Sequence, residues 1–308
     1  AISGSILVSQ TEYRLKEIGS TENNYICPHL IVTESWQTII WKISTQNTKP
    51  GRLPALERGI QRRHFIKQEE SSSPVEEGIG KAIVRAFRGA GHRVAFCDKN
   101  ETLGKETALQ TGTQFHLVDV SDKTALEDCL RKIIEEWGDI DIIINNAGVS
   151  QFSPITETSV EDFDKILSIN LRPAFITSRQ LALHRQSLDI PNPYGRIINI
   201  CSTRYLMSEP GSEGYAASKG GIYSLTHALA YRFGMAYHGK LYRSGWIQNN
   251  NYDQLRPEDH AQHPSGRVGK PEDIARMCLF LCQEENDFIN GENITIDGGM
   301  TKKMIYLD

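Results

Sequence analysis

No stretch of this chain stays apolar over the roughly 18 residues a helix needs to cross a bilayer, so the sequence predicts no membrane span. The first residues, Ala1 to Gln10, lack the basic region and apolar core of a secretory leader, which makes a cytoplasmic protein the expectation. Neither sign of charge dominates: 34 Lys and Arg stand against 38 Asp and Glu, a net charge of -4. That balance gives no electrostatic reason to expect nucleic acid or an anionic membrane as a partner. Cysteine is scarce and unpatterned. The six (Cys27, Cys97, Cys129, Cys201, Cys278 and Cys282) form no CxxC pair and no Cys/His cluster with zinc spacing, so no metal is expected. Cys278 and Cys282 sit one helical turn apart among Met277, Leu279, Phe280 and Leu281, and read as small buried hydrophobes. Reduced thiols in the cytosol fit this usage. Internal repeats are absent too.

What is present is a globular balance, 39% hydrophobic and 23% charged residues in a chain of 308, which allows one large domain or two small ones. The character changes near residue 78. Beyond it, strand-like and helix-like segments alternate, the pattern of a parallel sheet covered by helices. Helices are predicted over 78–87, 122–137, 159–184, 213–237 and 271–282, and strands over 92–97, 114–118, 139–144, 196–201 and 293–296. Ser159 and Asp162 have the spacing of a capping pair. Pro173 predicts a kink in the long helix, because proline removes one helical hydrogen bond and crowds the preceding turn. Residues 1–70 carry no clear period, and Gln68 to Ser73 is a polar run; Trp36, Ile39, Ile40 and Trp41 suggest a small apolar cluster. A poorly ordered or non-native extension is expected there rather than a second domain.

Tyr215-Ala-Ala-Ser-Lys219 places a phenol and an ammonium on one face of a helix. A lysine beside a phenol favours the phenolate, which makes tyrosine usable as an acid or base near neutral pH. Alone, the spacing equally suits a helix-surface pair. The surroundings add weight. Ser202 ends the strand Ile197 to Cys201, and Asp119 and Asn145 to Gly148 lie at other strand ends. Active sites of parallel sheets lie beyond the carboxyl ends of the strands.

From Gly78 to about Thr301 the chain resembles the short-chain dehydrogenase/reductase family. The residues that carry the resemblance are Asn145-Asn146-Ala147-Gly148, Asn170 in Ser168-Ile169-Asn170, Ser202, Tyr215-x-x-x-Lys219, the run from Gly266 to Ala275 and the closing run from Gly291 to Gly299. The resemblance implies a doubly wound parallel α/β sheet, Rossmann-like, with helices on both faces, over residues 71–308. It implies an oxidoreductase acting on a small alcohol or carbonyl compound. Tyr215 would exchange a proton with the substrate oxygen, and Ser202 would hydrogen-bond that oxygen. Lys219 would hold the nicotinamide ribose, and Asn170 a water that relays protons. Family members usually form dimers or tetramers through the helices that here hold Asn170 and Tyr215, so a homodimer or homotetramer is expected.

For the cofactor, Asp98 follows the strand 92–97, where a carboxylate accepts hydrogen bonds from the adenosine ribose and repels a 2′-phosphate; NAD is expected over NADP. A solvated strand-end carboxylate would look the same. Gly78, Ile79 and Gly80 would face the pyrophosphate, Asp119 and Val120 the adenine, and Asn146, Ala147 and Gly148 the middle of the cofactor. Tyr215, Lys219 and Gly245 would lie at its nicotinamide end. The stretches 204–214 and 248–263 would line or cover the substrate pocket, with Tyr205, Leu206 and Met207 suggesting an apolar wall.

Two segments depart from the family pattern. Its phosphate loop, Thr-Gly-x-x-x-Gly-x-Gly, aligns with Ser73-Pro74-Val75-Glu76-Glu77-Gly78-Ile79-Gly80. Pro74 removes an N–H and fixes φ where glycine is needed, and Glu76 and Glu77 put negative charge where an anion should bind. Upstream, 64–70 makes a poor buried strand. Between Tyr231 and Trp246 the expected apolar strand is unrecognisable. Both departures have abrupt edges beside family-like sequence, the pattern a local reading-frame change leaves. They support a second reading, a catalytically impaired member serving as a binding or scaffold protein.

Overall fold

Short runs of Ile, Val and Phe, each followed by a segment with helical spacing, build most of a sheet and its covering layers. The computed structural model describes residues 39–42, 78–188, 194–233 and 238–304, and of these 39–42, 233 and 238–243 by their backbone alone. The described residues belong to the compact unit Glu34–Asp308. The strands are β1 (Ile39–Lys42), β2 (Val94–Asp98), β3 (Gln114–Leu117), β4 (Ile142–Asn145), β5 (Arg196–Ser202), β6 (His238–Ser244) and β7 (Asn293–Ile296). Helices α1 (Ile79–Gly89), α2 (Glu101–Thr111), α3 (Lys123–Trp137), α4 (Val160–Asn170), α5 (Arg172–Gln186), α6 (Glu213–Phe233), α7 (Pro257–Ala261) and α8 (Pro271–Leu281) alternate with them. The sheet runs β3-β2-β1-β4-β5-β6-β7.

Side chains of successive strand residues point to opposite faces, and the two cores follow that rule. On one face Ala95, Cys97, Ile143 and Ile197 pack against Leu126, Leu130 and Ile133 of α3 and Ile176 and Leu181 of α5. On the other, Val94, Phe96, Ile142, Ile144, Ile198 and Ile200 meet Ile83, Val84 and Phe87 of α1 and Ile274, Cys278 and Leu281 of α8. Strands buried on both sides need apolar residues at every position, which is why β2, β4 and β5 were readable.

The doubly wound sheet with helices on both faces forms as expected, with one departure. The central strand β1 is antiparallel to both neighbours: Ile39 lies opposite Cys97 and Asn145, and Lys42 opposite Val94 and Ile142. This strand comes from the segment that the sequence left unassigned. The physical reason lies in pairing: β2 and β4 would otherwise present unpaired buried backbone groups, and the polar run just before α1 cannot supply a buried strand. The Trp36–Trp41 side-chain cluster and the segment 64–70 lie outside what is described.

A second expectation is corrected. Residues 238–244, judged unrecognisable as a strand, form β6, paired in parallel with β5 from Arg196↔His238 to Ser202↔Ser244 and with β7 from Leu241↔Asn293 to Ser244↔Ile296. The predicted kink is a full break. Helix α4 stops at Asn170 and α5 starts at Arg172, with Pro173 in its first turn. Pro173 has no N–H for the Ile169 carbonyl, and Ala174 N–H bonds the Leu171 carbonyl (3.2 Å). At the start of α4, Ser159 Oγ accepts from Asp162 N–H (3.0 Å) and donates to Asp162 Oδ2 (2.7 Å), the capping pair expected.

Candidate active site

The carboxyl ends of five strands bring the expected residues to one edge. Asp98 ends β2, Asp119 and Val120 follow β3, Asn146 to Gly148 follow β4, Ser202 ends β5 and Gly245 follows β6. Gly78 is the N-cap of α1, with Ile79 and Gly80 in its first turn. Lys81, one residue on, lines a small cavity together with Asp98, so the start of α1 lies near this edge.

Helix α6 delivers Tyr215 and Lys219 on one face. Lys219 is 3% exposed, and its Nζ donates to the Ile200 carbonyl (3.1 Å), two residues before Ser202. The same Nζ lies 5.5 Å from the centroid of the Tyr215 ring. A Cβ placed on Gly148 would meet Lys219 Nζ at 3.5 Å and Asn170 Oδ1 at 3.6 Å. Phenol, ammonium, amide and a bare stretch of backbone therefore gather at one place. Ser202 Oγ accepts from Arg204 N–H (3.3 Å), which leaves its own proton for another acceptor.

Asn170 is tied on both sides of its amide. Its Oδ1 accepts from Val149 N–H (2.8 Å), and its Nδ2 donates to the Val149 carbonyl (2.9 Å) and to Ser218 Oγ (2.9 Å). Ser218 Oγ in turn donates to the Tyr215 carbonyl (2.7 Å). Asn170 thus fixes the loop after β4 against the helix that carries Tyr215. Beneath the edge runs a buried polar chain. Thr177 Oγ1 donates to Asn145 Oδ1 (3.0 Å), Asn145 Nδ2 to Asn199 Oδ1 (2.7 Å), and Asn199 Nδ2 to Thr226 Oγ1 (2.8 Å). It links α5, β4, β5 and α6, and polar groups paired this way in a low dielectric rigidify what they join.

A family model described as Enoyl-(Acyl carrier protein) reductase matches residues 75–301. The chain belongs to the short-chain dehydrogenase/reductase family. It is 39% identical to an uncharacterized oxidoreductase of Thermotoga maritima over 75% of this chain and 94% of that protein. A 3-oxoacyl-[acyl-carrier-protein] reductase of Rickettsia conorii is 33% identical over 72% of this chain and 92% of its own length. Among solved structures, an apo SCOR enzyme from Clostridium thermocellum superposes with a TM-score of 0.67 at 39% identity, covering 75% of this chain and 91% of that one. This short-chain dehydrogenase/reductase is an oxidoreductase of a family that works with a nicotinamide cofactor.

At its nicotinamide end the site suits such a group. The buried Lys219 ammonium carries three donors and has one hydrogen bond, to Ile200. The loop after β6 is held by Gly245, whose N–H donates to the Ile296 carbonyl (3.0 Å); a Cβ there would stand 2.6 Å from that of Asp297. At the adenosine end, Asp98 is 3% exposed, and its Oδ1 accepts from Asn100 N–H (2.9 Å). The pyrophosphate end suits it less. A phosphate-binding turn joins the carboxyl end of the central strand directly to α1. Here β1 begins at that edge with Ile39 and leaves from the opposite edge at Lys42, so no direct turn connects it to Gly78.

The sequence reading missed Ser218, Asn199, Thr226 and Phe152. Ser218 had a visible signal, being the residue before Lys219 on the same helix. The other three had none. Of the proposed apolar wall, Tyr205 stacks on Tyr223 (4.9 Å between centroids) and packs beside Cys201 and Ile222, which is ordinary packing. Leu206 and Met207 are exposed. The stretch 248–263 includes α7 and is pinned by Tyr252 Oη donating to the Val268 carbonyl (2.7 Å). Among the described residues, no helix is long and apolar enough to cross a membrane, and no group of His, Cys, Asp and Glu is arranged to hold a metal.

Proposed function

We propose that this chain interconverts a secondary alcohol and a ketone with NAD(H), using Tyr215 as the acid and base. The observation that carries this reading is Lys219 Nζ lying 5.5 Å from the Tyr215 ring at the edge where Ser202 and Gly148 also lie. An ammonium on the helix face that carries the phenol is placed to act with it in proton transfer. The bound nicotinamide supplies or accepts the hydride. In reduction, Tyr215 Oη gives its proton to the carbonyl oxygen, and Ser202 Oγ donates to the same oxygen and stabilises its charge. Of its two remaining donors, Lys219 Nζ would give one to the ribose hydroxyls and the other to a water held by Asn170 at the helix break, through which a proton would return.

Asp98 favours NAD over NADP, because a buried carboxylate accepts ribose hydroxyls and repels a 2′-phosphate. Gly78, Ile79, Gly80, Asp119, Val120, Asn146, Ala147 and Gly245 complete the cofactor contacts. Cys97, Cys129, Cys201, Cys278 and Cys282 are buried, and burial pushes the Cys129 thiol up to about 12; unreactive thiols of this kind suit the cytoplasm. Phe175 and Leu183 on α5 and Tyr223 and Tyr231 on α6 are exposed, which supports a homodimer or homotetramer through these helices.

The antiparallel β1 favours a second reading, a binding or scaffold protein with a weakened pyrophosphate site. Fluorescence titration with NADH, followed by a screen of ketones at the absorbance of the reduced cofactor, separates the two. Saturable binding with turnover is the expected result. A protein that leaves NADH fluorescence unchanged and oxidises no cofactor with any ketone would overturn the enzyme reading in favour of the second.

A further inference from the structure

We propose that the substrate carries an anionic group, a carboxylate or a phosphate, and that Arg204 binds it. The inference rests on the oxidoreductase reading of the same site and deepens it. Arg204 lies two residues beyond Ser202, and its backbone N–H bonds the Ser202 hydroxyl at 3.3 Å. Its guanidinium carbon stands 4.8 Å from the centroid of the Phe152 ring. Phe152 is itself a neighbour of Tyr215, with ring centroids 6.4 Å apart and planes at 56°. Phe152 belongs to the loop after β4 and Arg204 to the short 3-10 helix after β5. A cation is therefore held over the Phe152 ring, between the two loops that flank the proposed proton donor.

What the guanidinium binds in this structure indicates what it is built to take. Its Nη1 pairs with the Glu209 carboxylate, one of five N–H donors that the planar fork offers. The side chain of Arg204 is 24% exposed and that of Glu209 is 46% exposed. The Glu209 side of the pair stands open to water, where an ion pair is weak, so a second carboxylate can compete for the fork. Glu209 sits in a turn closed by Ser212, whose Oγ donates to the Glu209 carbonyl (2.6 Å). Two residues on, Gly211 (φ +78°) is tied to Ser153. The anchor of the loop is thus separate from the carboxylate, and Glu209 can yield the fork while the loop stays in place. Phe152, the ring under the guanidinium, is itself the neighbour of Tyr215, and a planar fork takes a carboxylate or phosphate by paired hydrogen bonds.

The test compares matched ketones: levulinate against its methyl ester, and dihydroxyacetone phosphate against hydroxyacetone. In the unaltered protein the anionic member of one pair is expected to have a kcat/KM about 10-fold above its neutral partner, since a hydrogen bond to a charged group is worth that order. The pair that responds identifies carboxylate or phosphate as the source. In Arg204→Leu the anionic-to-neutral ratio falls by about 10-fold, to near unity, through KM, and Arg204→Lys, which keeps charge without the fork, lies between. Glu209→Gln raises the ratio a few-fold by removing the competitor. Calorimetric titration of the cofactor-free protein with levulinate and with inorganic phosphate gives a readout independent of turnover, and Arg204→Leu should abolish the heat. If neutral and anionic ketones are reduced equally and the ratio ignores Arg204, this proposal fails while the oxidoreductase reading stands. If NADH binds and no ketone is reduced, the oxidoreductase reading fails and takes this proposal with it.

Discussion

The two halves of the sheet's carboxyl edge are built differently. In the half formed by β4, β5 and α6, each proposed reacting group rests on paired, buried support. Lys219 bonds the β5 backbone, Asn170 clamps the loop after β4, and the chain from Thr177 to Thr226 ties the elements together. In the half formed by β1 and α1, the helix starts at Gly78 without a side-chain cap, and the central strand beside it runs the wrong way to feed it. The proposed acid–base groups and the proposed pyrophosphate contacts therefore depend on different strands, and the second can be weakened while the first stays ordered.

The largest expected effect breaks the first half alone. Tyr215→Phe removes the proton donor and should lower kcat by about 1,000-fold, within the span of general acid catalysis, while NADH titration gives a Kd close to that of the parent. A parallel collapse of NADH binding would show that the halves are coupled. Next comes the scaffold beneath. Asn199→Ala leaves the Asn145 amide and Thr226 hydroxyl without their partner in a dry environment, and should cost about 2–3 kcal/mol in urea unfolding.

The second half is sharpened by gain rather than loss. Glu76→Gln with Glu77→Gln removes two charges immediately before α1, each unfavourable to an anion there by about 0.3–1 kcal/mol. NADH should bind about 3- to 30-fold tighter in fluorescence titration, and kcat at saturating NADH should not move. A smaller effect, in stability, concerns Asp273 at the start of α8. Burial pushes its carboxyl up, but hydrogen bonds from the Arg267 fork and the Lys270 N–H, with the charges of Arg267 and Arg276, outweigh this and hold it below the usual carboxylate range. A carboxyl depressed in the folded state stabilises the fold above its unfolded value and loses that contribution as pH falls through the folded one. Asp273→Asn should therefore lower the melting temperature by a few degrees at pH 7, with the gap closing under acid.

The same contrast explains what could be read in advance. Strands β2, β4 and β5 were legible because a strand covered on both faces is mostly apolar, and the helix break because proline leaves a chemical mark at Pro173. Helix α2 was not anticipated: its buried residues are Gly104 and Thr107, which make no apolar stripe. Its ends were written in the sequence, by Asn100, whose side chain accepts from Leu103 N–H, and by left-handed Gly112 (φ 64°). Strand β6 hid because its composition is polar, yet pairing on both sides imposes the extended backbone whatever the side chains prefer. The direction of β1 could not be read at all, since a run of four residues encodes no sense of travel. At the site, Tyr215 and Lys219 were visible through spacing, Ser202 through its place at a strand end, and Asn170 through the family resemblance. Phe152 and Asn199 were not, because their roles exist only across the fold.

Strand β1 also has a consequence for how the protein is made. Residues 39–42 leave the ribosome before any segment they pair with, and both of those partners lie far along the chain. Until this short piece pairs with them, β2 and β4 each present a raw edge at the middle of the sheet. Pairings of such long range are slow to close, and open edges are what other chains can fill.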